Sequence, residues 1–112
     1  MKKYLFYAMK GEKMCFAHLL MNAIDLHEAG NEVKIIFEGQ AVKLPKELIE
    51  EDNPLYKKAV ENNLIAGICL ACSKMLEVYD FNKDLPYPLL SDMMNHAGMK
   101  PFIEKGYEVI VM

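Results

Sequence analysis

The sequence predicts an α/β fold, a three-layer α/β/α sandwich around a mainly parallel sheet of about five strands. Three observations lead there. Apolar runs of strand length recur along the chain, the stretches between them switch to helical spacing, and these connections are long enough for the crossovers that parallel strands need. At 112 residues there is room for one hydrophobic core, so residues 1–112 make one domain.

The elements follow in order. Tyr4 to Ala8 is an almost continuous apolar run after two lysines, the pattern of a strand covered on both faces. After the turn-forming "MKGEK", residues 14–29 place Phe16, Leu19, Leu20, Ala23 and Ile24 on one helical stripe, with His18, Asn22 and Asp25 opposite. Gly30 stands where a helix end needs a residue free to adopt positive φ. Val33, Ile35, Ile36 and Phe37 read as a second strand ending at Gly39. The connector "QAVKLPKELIEED" holds a helical turn beginning at Pro45. In "DNPLYKKAVENN", Asn53 caps a better helix, Pro54 fits its first position, and Leu55, Tyr56, Ala59 and Val60 form the apolar face.

"LIAGICLA" carries no charge or amide and reads as the innermost strand. A third helix is expected over residues 73–80 with Met75, Leu76 and Tyr79 at helical spacing. "FNKDLPYPLL" is a loop with at most a short strand at its end, "SDMMNHAGMKPFIEK" holds one or two short helices broken at Gly98 and restarted near Pro101, and "GYEVIVM" is the closing strand. Sites in such sheets lie outside the carboxyl ends of the strands. That rule puts "MKGEKM", "EGQAVKL" and "ACSKM" on one rim.

Composition narrows the function classes. The chain is 53% apolar and 26% charged, which suits a packed globule, and its net charge of -3 with scattered lysines gives no global reason to bind nucleic acid or an anionic membrane. The apolar part of "MKKYLFYAMKGEK" is too short for a membrane span or an export signal, and three cysteines, an odd number, argue for a reducing compartment over a disulfide framework. The expected location is cytoplasmic. So large an apolar share exceeds what one small core hides, which predicts a homo-oligomer.

Cys72 is the leading candidate for chemistry, because it leaves a buried strand and opens a helix whose amide groups and dipole should lower its pKa; Lys74 adds positive charge nearby. Cys69, inside the strand, reads as core. A zinc site needs four ligands, and the second pair here is confined to Cys15 and three separated histidines, so no metal is expected. A thioredoxin-type dithiol is disfavoured because such sites carry the first cysteine at the helix N-terminus, whereas Cys72 is the second. His18 reads as a solvated surface residue and His27 as packing at the edge of its stripe. His96, in the "NHAG" loop, could bring an imidazole to the rim. Glu47, Glu50 and Glu51 form a solvated face, and Met93, Met94 and Met99 fit adaptable packing at a core or subunit contact. "MKGEKM" lacks both G-x-G-x-x-G and G-x-x-x-x-G-K-[ST], so no nucleotide cofactor is expected.

With these residues in view, the chain resembles the DsrE/DsrF-like family of small sulfur-relay proteins over nearly its whole length. The similarity rests on the opening strand, on "LHEAGNEVKIIFEGQAVKL" against the family's "GHEV...FF.GDGV", on "ICLACSKM" and on "KGYEVIVM". Asn31 stands where the family often has histidine, "EGQAV" replaces the acidic "GDGV", and Cys69 is an addition. The resemblance implies a three-layer α/β/α sandwich, assembly into trimers or hexamers, and a persulfide on Cys72 passed between donor and acceptor proteins. The expectation is thus a cytosolic sulfur carrier using Cys72, with Lys74, Cys69 and His96 as possible assistants. A non-catalytic oligomeric module that binds a small ligand, with structural cysteines, and a C-x-x-C thiol-disulfide oxidoreductase are the alternatives.

Overall fold

A computed structural model describes residues 1–112. Strand β1 (Lys3–Ala8) forms as its apolar run predicts, and helix α1 (Lys13–Glu28) buries Phe16, Leu19, Leu20, Ala23 and Ile24, the five residues of the expected stripe. The helix ends at Gly30, which adopts φ +94, while Asn31 N–H returns to the Leu26 carbonyl at 3.2 Å. Glycine is suited there because it has no Cβ to crowd the left-handed conformation. Strand β2 (Glu32–Phe37) leads into a 3₁₀ turn (Gly39–Lys43) and helix α2 (Leu44–Glu50), with Pro45 in its first turn. Helix α3 (Pro54–Glu61) is capped by Asn53, whose Oδ1 accepts from Tyr56 N at 3.0 Å.

Strand β3 (Ile65–Cys69) runs directly into helix α4 (Leu70–Met75), and helix α5 (Tyr79–Asn82) follows after a break. The single helix expected over 73–80 is therefore two shorter ones. Glu77 takes φ +60, its N–H bonds the Lys74 carbonyl, and Val78 N–H bonds the Ser73 carbonyl. These are the two hydrogen bonds of a Schellman stop, made here without the glycine that would have announced it. Met75, expected on the apolar face, is 73% exposed. Strand β4 (Leu89–Leu90), helix α6 (Lys100–Glu104) and strand β5 (Glu108–Val111) complete the chain. No helix forms between residues 91 and 99. That segment instead closes a tight turn with paired hydrogen bonds between Met93 and His96.

The sheet has five parallel strands in the order β4-β3-β2-β1-β5. The innermost strand is thus β2 and not β3. The reason lies in the polar residues of β2: Lys34 reaches the Asn63 carbonyl and Glu32 accepts from Tyr107 Oη, so both satisfy their heads at one end of a strand whose other residues are buried. The unbroken apolarity of β3 reports cover on its faces, not a central place.

Phe37 meets Phe16 of α1 and stacks on Tyr87, whose hydroxyl bonds that of Tyr56 on α3, so these helices cover one face. On the other, Phe102 of α6 packs edge-on against Tyr107. The three-layer α/β/α sandwich is present, with α6 a thin second cover that has no fully buried residue. No helix is long and apolar enough to cross a membrane.

Gly67 decides how closely β4 approaches β3. A Cβ there would lie 2.5 Å from Leu90 Cγ and 2.8 Å from the Pro88 carbonyl oxygen, which accepts from Ile68 N–H. Gly67→Ala is expected to cost about 1–3 kcal/mol by forcing β4 outward. Urea unfolding checks it, and an unchanged midpoint at unchanged slope would show that β4 yields freely.

Candidate functional site

The alternation of side chains along parallel strands assembles the site. Tyr7 is paired with Ile36, Phe37 with Ile68, and Glu38 and Cys69 follow at the ends of their strands, so Tyr7, Glu38 and Cys69 project from the sheet face opposite Phe37. All three lie at the carboxyl rim. The missing side comes from the chain's return. Because β4 and β5 lie on opposite edges, their connection must cross the sheet, and residues 91–99 do so over the rim. Tyr7 Oη donates to the Ala97 carbonyl at 2.6 Å, Ala97 N–H donates to Glu38 Oε2 at 3.1 Å, and Ala71 N–H donates to the Asn95 carbonyl at 2.9 Å. Met94 and Asn95 both take positive φ, 49° and 71°, at the turn that presents His96. For methionine this conformation is strained.

The result is a cluster of Glu38, Cys69, Cys72 and His96, in which a carboxylate oxygen, the two Sγ atoms and an imidazole nitrogen all lie within 4.8 Å of one another. His96 Nδ1 is 3.2 Å from Cys69 Sγ, 3.5 Å from Cys72 Sγ and 3.3 Å from Glu38 Oε1. Cys72 Sγ donates to Glu38 Oε1 at 2.8 Å. Glu38 is 5% exposed, Cys69 0% and Cys72 8%.

The roles expected of the two cysteines are corrected. Cys69 occupies the N-cap of α4, and its Sγ accepts from Cys72 N–H at 3.3 Å; Cys72 is the third residue of the helix. The strand ends at Cys69, two residues before its apolar run does, with the helix starting at once at Leu70, and this moves the cap onto the first cysteine. The thiol of Cys72 is not lowered but pushed up to about 12, first by burial and then by its hydrogen bond to the Glu38 carboxylate. Cys69 is also raised by burial, against the pull of hydrogen bonds from the Cys72 and Ala97 amides. Burial also opposes ionisation of Glu38, yet hydrogen bonds from Cys72, Gly39, Cys69 and His96 outweigh it and hold the carboxyl below its ordinary range. In a six-residue helix with both sulfurs enclosed, desolvation and a neighbouring carboxylate overcome the helix-end field.

Lys74 does not join the cluster: it is exposed, and its ammonium sits 5.2 Å from the centre of the Tyr79 ring. Cys15 is half-buried near Ala8, Lys10 and Met112, outside the cluster. His18 is exposed and His27 half-buried, as expected. Of the predicted assistants, Cys69 and His96 arrive and Lys74 does not. Glu38 was hidden in "EGQAVKL", a rim segment in which no single residue stood out. Its signal was a carboxylate directly following a fully apolar strand end, where a solvated charge has no reason to be.

Cys72 also lines a cleft of about 250 Å³ with Met9, Gly39, Gln40, Met75 and Leu76. Cys69 does not line it. The pair is therefore asymmetric: Cys72 borders an apolar opening, and Cys69 is fully buried.

The chain is 36% identical over 95 residues, 83% of its length, to the uncharacterized protein MJ0733 of Methanocaldococcus jannaschii, covering 76% of that protein. It belongs to that protein's family. No family model and no solved structure matches it.

Proposed function

We propose that this protein is a sulfur-relay carrier whose working sulfur is Cys72. The single observation behind the reading is that, of the C-x-x-C pair, Cys72 alone lines the open cleft while also contacting a carboxylate. The resemblance to the DsrE/DsrF-like proteins points to the same residue. Because the thiol is not ionised in advance, its proton must leave during the transfer step, and Glu38 Oε1, which already accepts that proton in a hydrogen bond, is the group placed to relay it. Cys72 Sγ bonds to the terminal sulfur of a donor persulfide, the donor's S–S bond breaks, and the thiol proton passes by way of Glu38 to the departing donor sulfur. An acceptor thiolate then attacks the terminal sulfur of the Cys72 persulfide, the Cys72 S–S bond breaks, and the persulfide's proton passes to the departing Cys72 sulfur, leaving a Cys72 thiol and an acceptor persulfide anion with no net oxidation. Met9, Met75 and Leu76 give the cleft apolar walls beside the transferable sulfur.

One observation favours a second reading. With Cys69 at the N-cap, the first cysteine holds the place it has in dithiol oxidoreductases, and the two sulfurs are within 4.8 Å. Attack of Cys69 on the inner sulfur of a Cys72 persulfide would release hydrosulfide and leave a Cys69–Cys72 disulfide, which an external thiol reductant must then reduce.

Intact-mass analysis of the metal-free protein, before and after incubation with a sulfane-sulfur donor, tests both. The carrier gains sulfur that reductant removes; Cys15→Ser retains the gain and Cys72→Ser loses it. Equal loading of Cys72→Ser would overturn the reading, and a loss of two hydrogens would point to the dithiol. The proposal includes a cytosolic location and a homo-oligomer, a trimer or hexamer by resemblance. The exposed Met9, Met75, Met93 and Met94 near the rim support assembly, and light scattering that gives a monomer mass at micromolar concentration would remove it.

A further inference from the structure

The geometry points to a zinc(II) site made by Glu38, Cys69, Cys72 and His96, a binding capacity that stands on the donor set and not on the sulfur-transfer reading. Four donors of four residues converge: two thiol sulfurs, one imidazole nitrogen and one carboxylate oxygen. With bonds of about 2.3 Å to sulfur and 2.0–2.2 Å to nitrogen and oxygen, a tetrahedral zinc ion holds its ligands about 3.3–3.8 Å apart. The separations from His96 Nδ1 are 3.2 Å to Cys69, 3.5 Å to Cys72 and 3.3 Å to Glu38. The Cys72–Glu38 pair, at 2.8 Å, must open by several tenths of an ångström, and the two pairs that Cys69 makes with Cys72 and Glu38, which lie within 4.8 Å, settle into the same range as the ion draws the donors in.

The surroundings of the donors are also those of a built site. Glu38 Oε2 is held by Ala97 N–H, which leaves Oε1 aimed at the sulfurs. Cys69 Sγ accepts an amide hydrogen bond from Cys72, which favours the charged sulfur that a metal needs. The strained turn at Met94 and Asn95 places an imidazole over the pair, and a position of that kind has to be held against its conformational cost. Two sulfurs exclude calcium and magnesium, which take oxygen ligands, and the imidazole and carboxylate suit zinc better than a purely thiolate-seeking ion. Binding exchanges the two thiol protons for one divalent ion, and the protons leave to solvent. The sequence offered no complete ligand set, because Glu38 and His96 are far from the C-x-x-C pair along the chain and meet it only through the crossing loop.

Zinc would occupy the sulfur that the proposed carrier uses, so metal and sulfane sulfur compete for Cys72. The test begins with reduced, metal-free protein titrated with Co²⁺. One ion per chain is expected, with a thiolate-to-cobalt charge-transfer band and d–d bands of tetrahedral intensity that disappear when one equivalent of Zn²⁺ is added. Cys15→Ser should leave these bands intact, and Cys72→Ser should weaken the charge-transfer band. Glu38→Gln and His96→Ala should each lower zinc affinity about tenfold or more in a competition assay with a chromophoric chelator. His96 is partly exposed, so His96→Ala tests the site even where Glu38→Gln disturbs folding. Absence of the charge-transfer band, or zinc affinity unchanged in a folded His96→Ala, would overturn the proposal. Sulfur loading, measured on metal-free protein, succeeds or fails independently.

Discussion

Glu38→Ala is expected to destabilise the folded chain by about 3 kcal/mol, on the scale of about 1–3 kcal/mol for each buried polar group left unpaired. The carboxylate accepts from Ala97 N–H at 3.1 Å and from Gly39 N–H at 3.1 Å, besides the Cys72 thiol. Truncation removes the acceptor for two backbone donors. It also unpins the crossing loop, since Ala97 is held to the sheet by this bond and by the Tyr7 hydroxyl. A loss of that size lowers the melting temperature by on the order of 10 °C in a domain of this length. Glu38→Gln retains an acceptor oxygen for one of the two backbone donors and should lose less than Glu38→Ala. Thermal unfolding of the two variants checks the argument, which fails if Glu38→Ala melts with the native protein or if Gln is as damaging as Ala.

Asn82→Asp should be more costly still for a change of one atom, at about 3–5 kcal/mol near neutral pH. Asn82 is 0% exposed, and its Nδ2 donates to the Val42 carbonyl and to Ser73 Oγ, both at 3.0 Å; Ser73 Oγ donates in turn to the Cys69 carbonyl at 2.7 Å. This buried chain ties α5 and the 3₁₀ turn to the residue that caps α4. An aspartate there sets an oxygen against the Val42 carbonyl and buries a charge without a cation, while Asn82 Oδ1 already lacks a partner. The pH dependence has a definite sign. Burial raises the folded pKa of the new carboxyl above its unfolded value, so the deficit grows as pH rises through that window and shrinks as pH falls toward the unfolded value of about 3.9. Asn82→Ala, which removes the donor without adding charge, should cost less and show no such dependence. Urea unfolding at several pH values separates the two. An Asn82→Asp deficit that is flat with pH would mean that solvent reaches the site.

The local elements were legible because their causes are local. The stripe from Phe16 to Ile24, the Asn53 cap, Pro54 at the first helical turn and Gly30 at a helix end each act within one or two turns of chain, and each formed as the residues dictate. The rim was legible too, since strand ends and helix starts follow from those elements, and "EGQAVKL" and "ACSKM" do meet there. The same reasoning failed where a boundary depended on one residue. Placing the start of α4 after Cys72 instead of at Leu70 gave the cap to the wrong cysteine, and with it the wrong direction for the pKa.

What the sequence by itself determined is the alternation of strands and helices, and hence a parallel three-layer sandwich with its chemistry at the carboxyl rim. The tertiary structure alone decided that β2 is central, that Glu38 turns inward to Cys72, and that His96 completes the cluster. The physical reason is one of range. Periodicity and capping are set by neighbours in sequence, whereas the cluster exists because β4 and β5 occupy opposite edges of the sheet and the chain between them must cross over the ends of the strands, carrying an imidazole to two sulfurs and a carboxylate from distant parts of the chain.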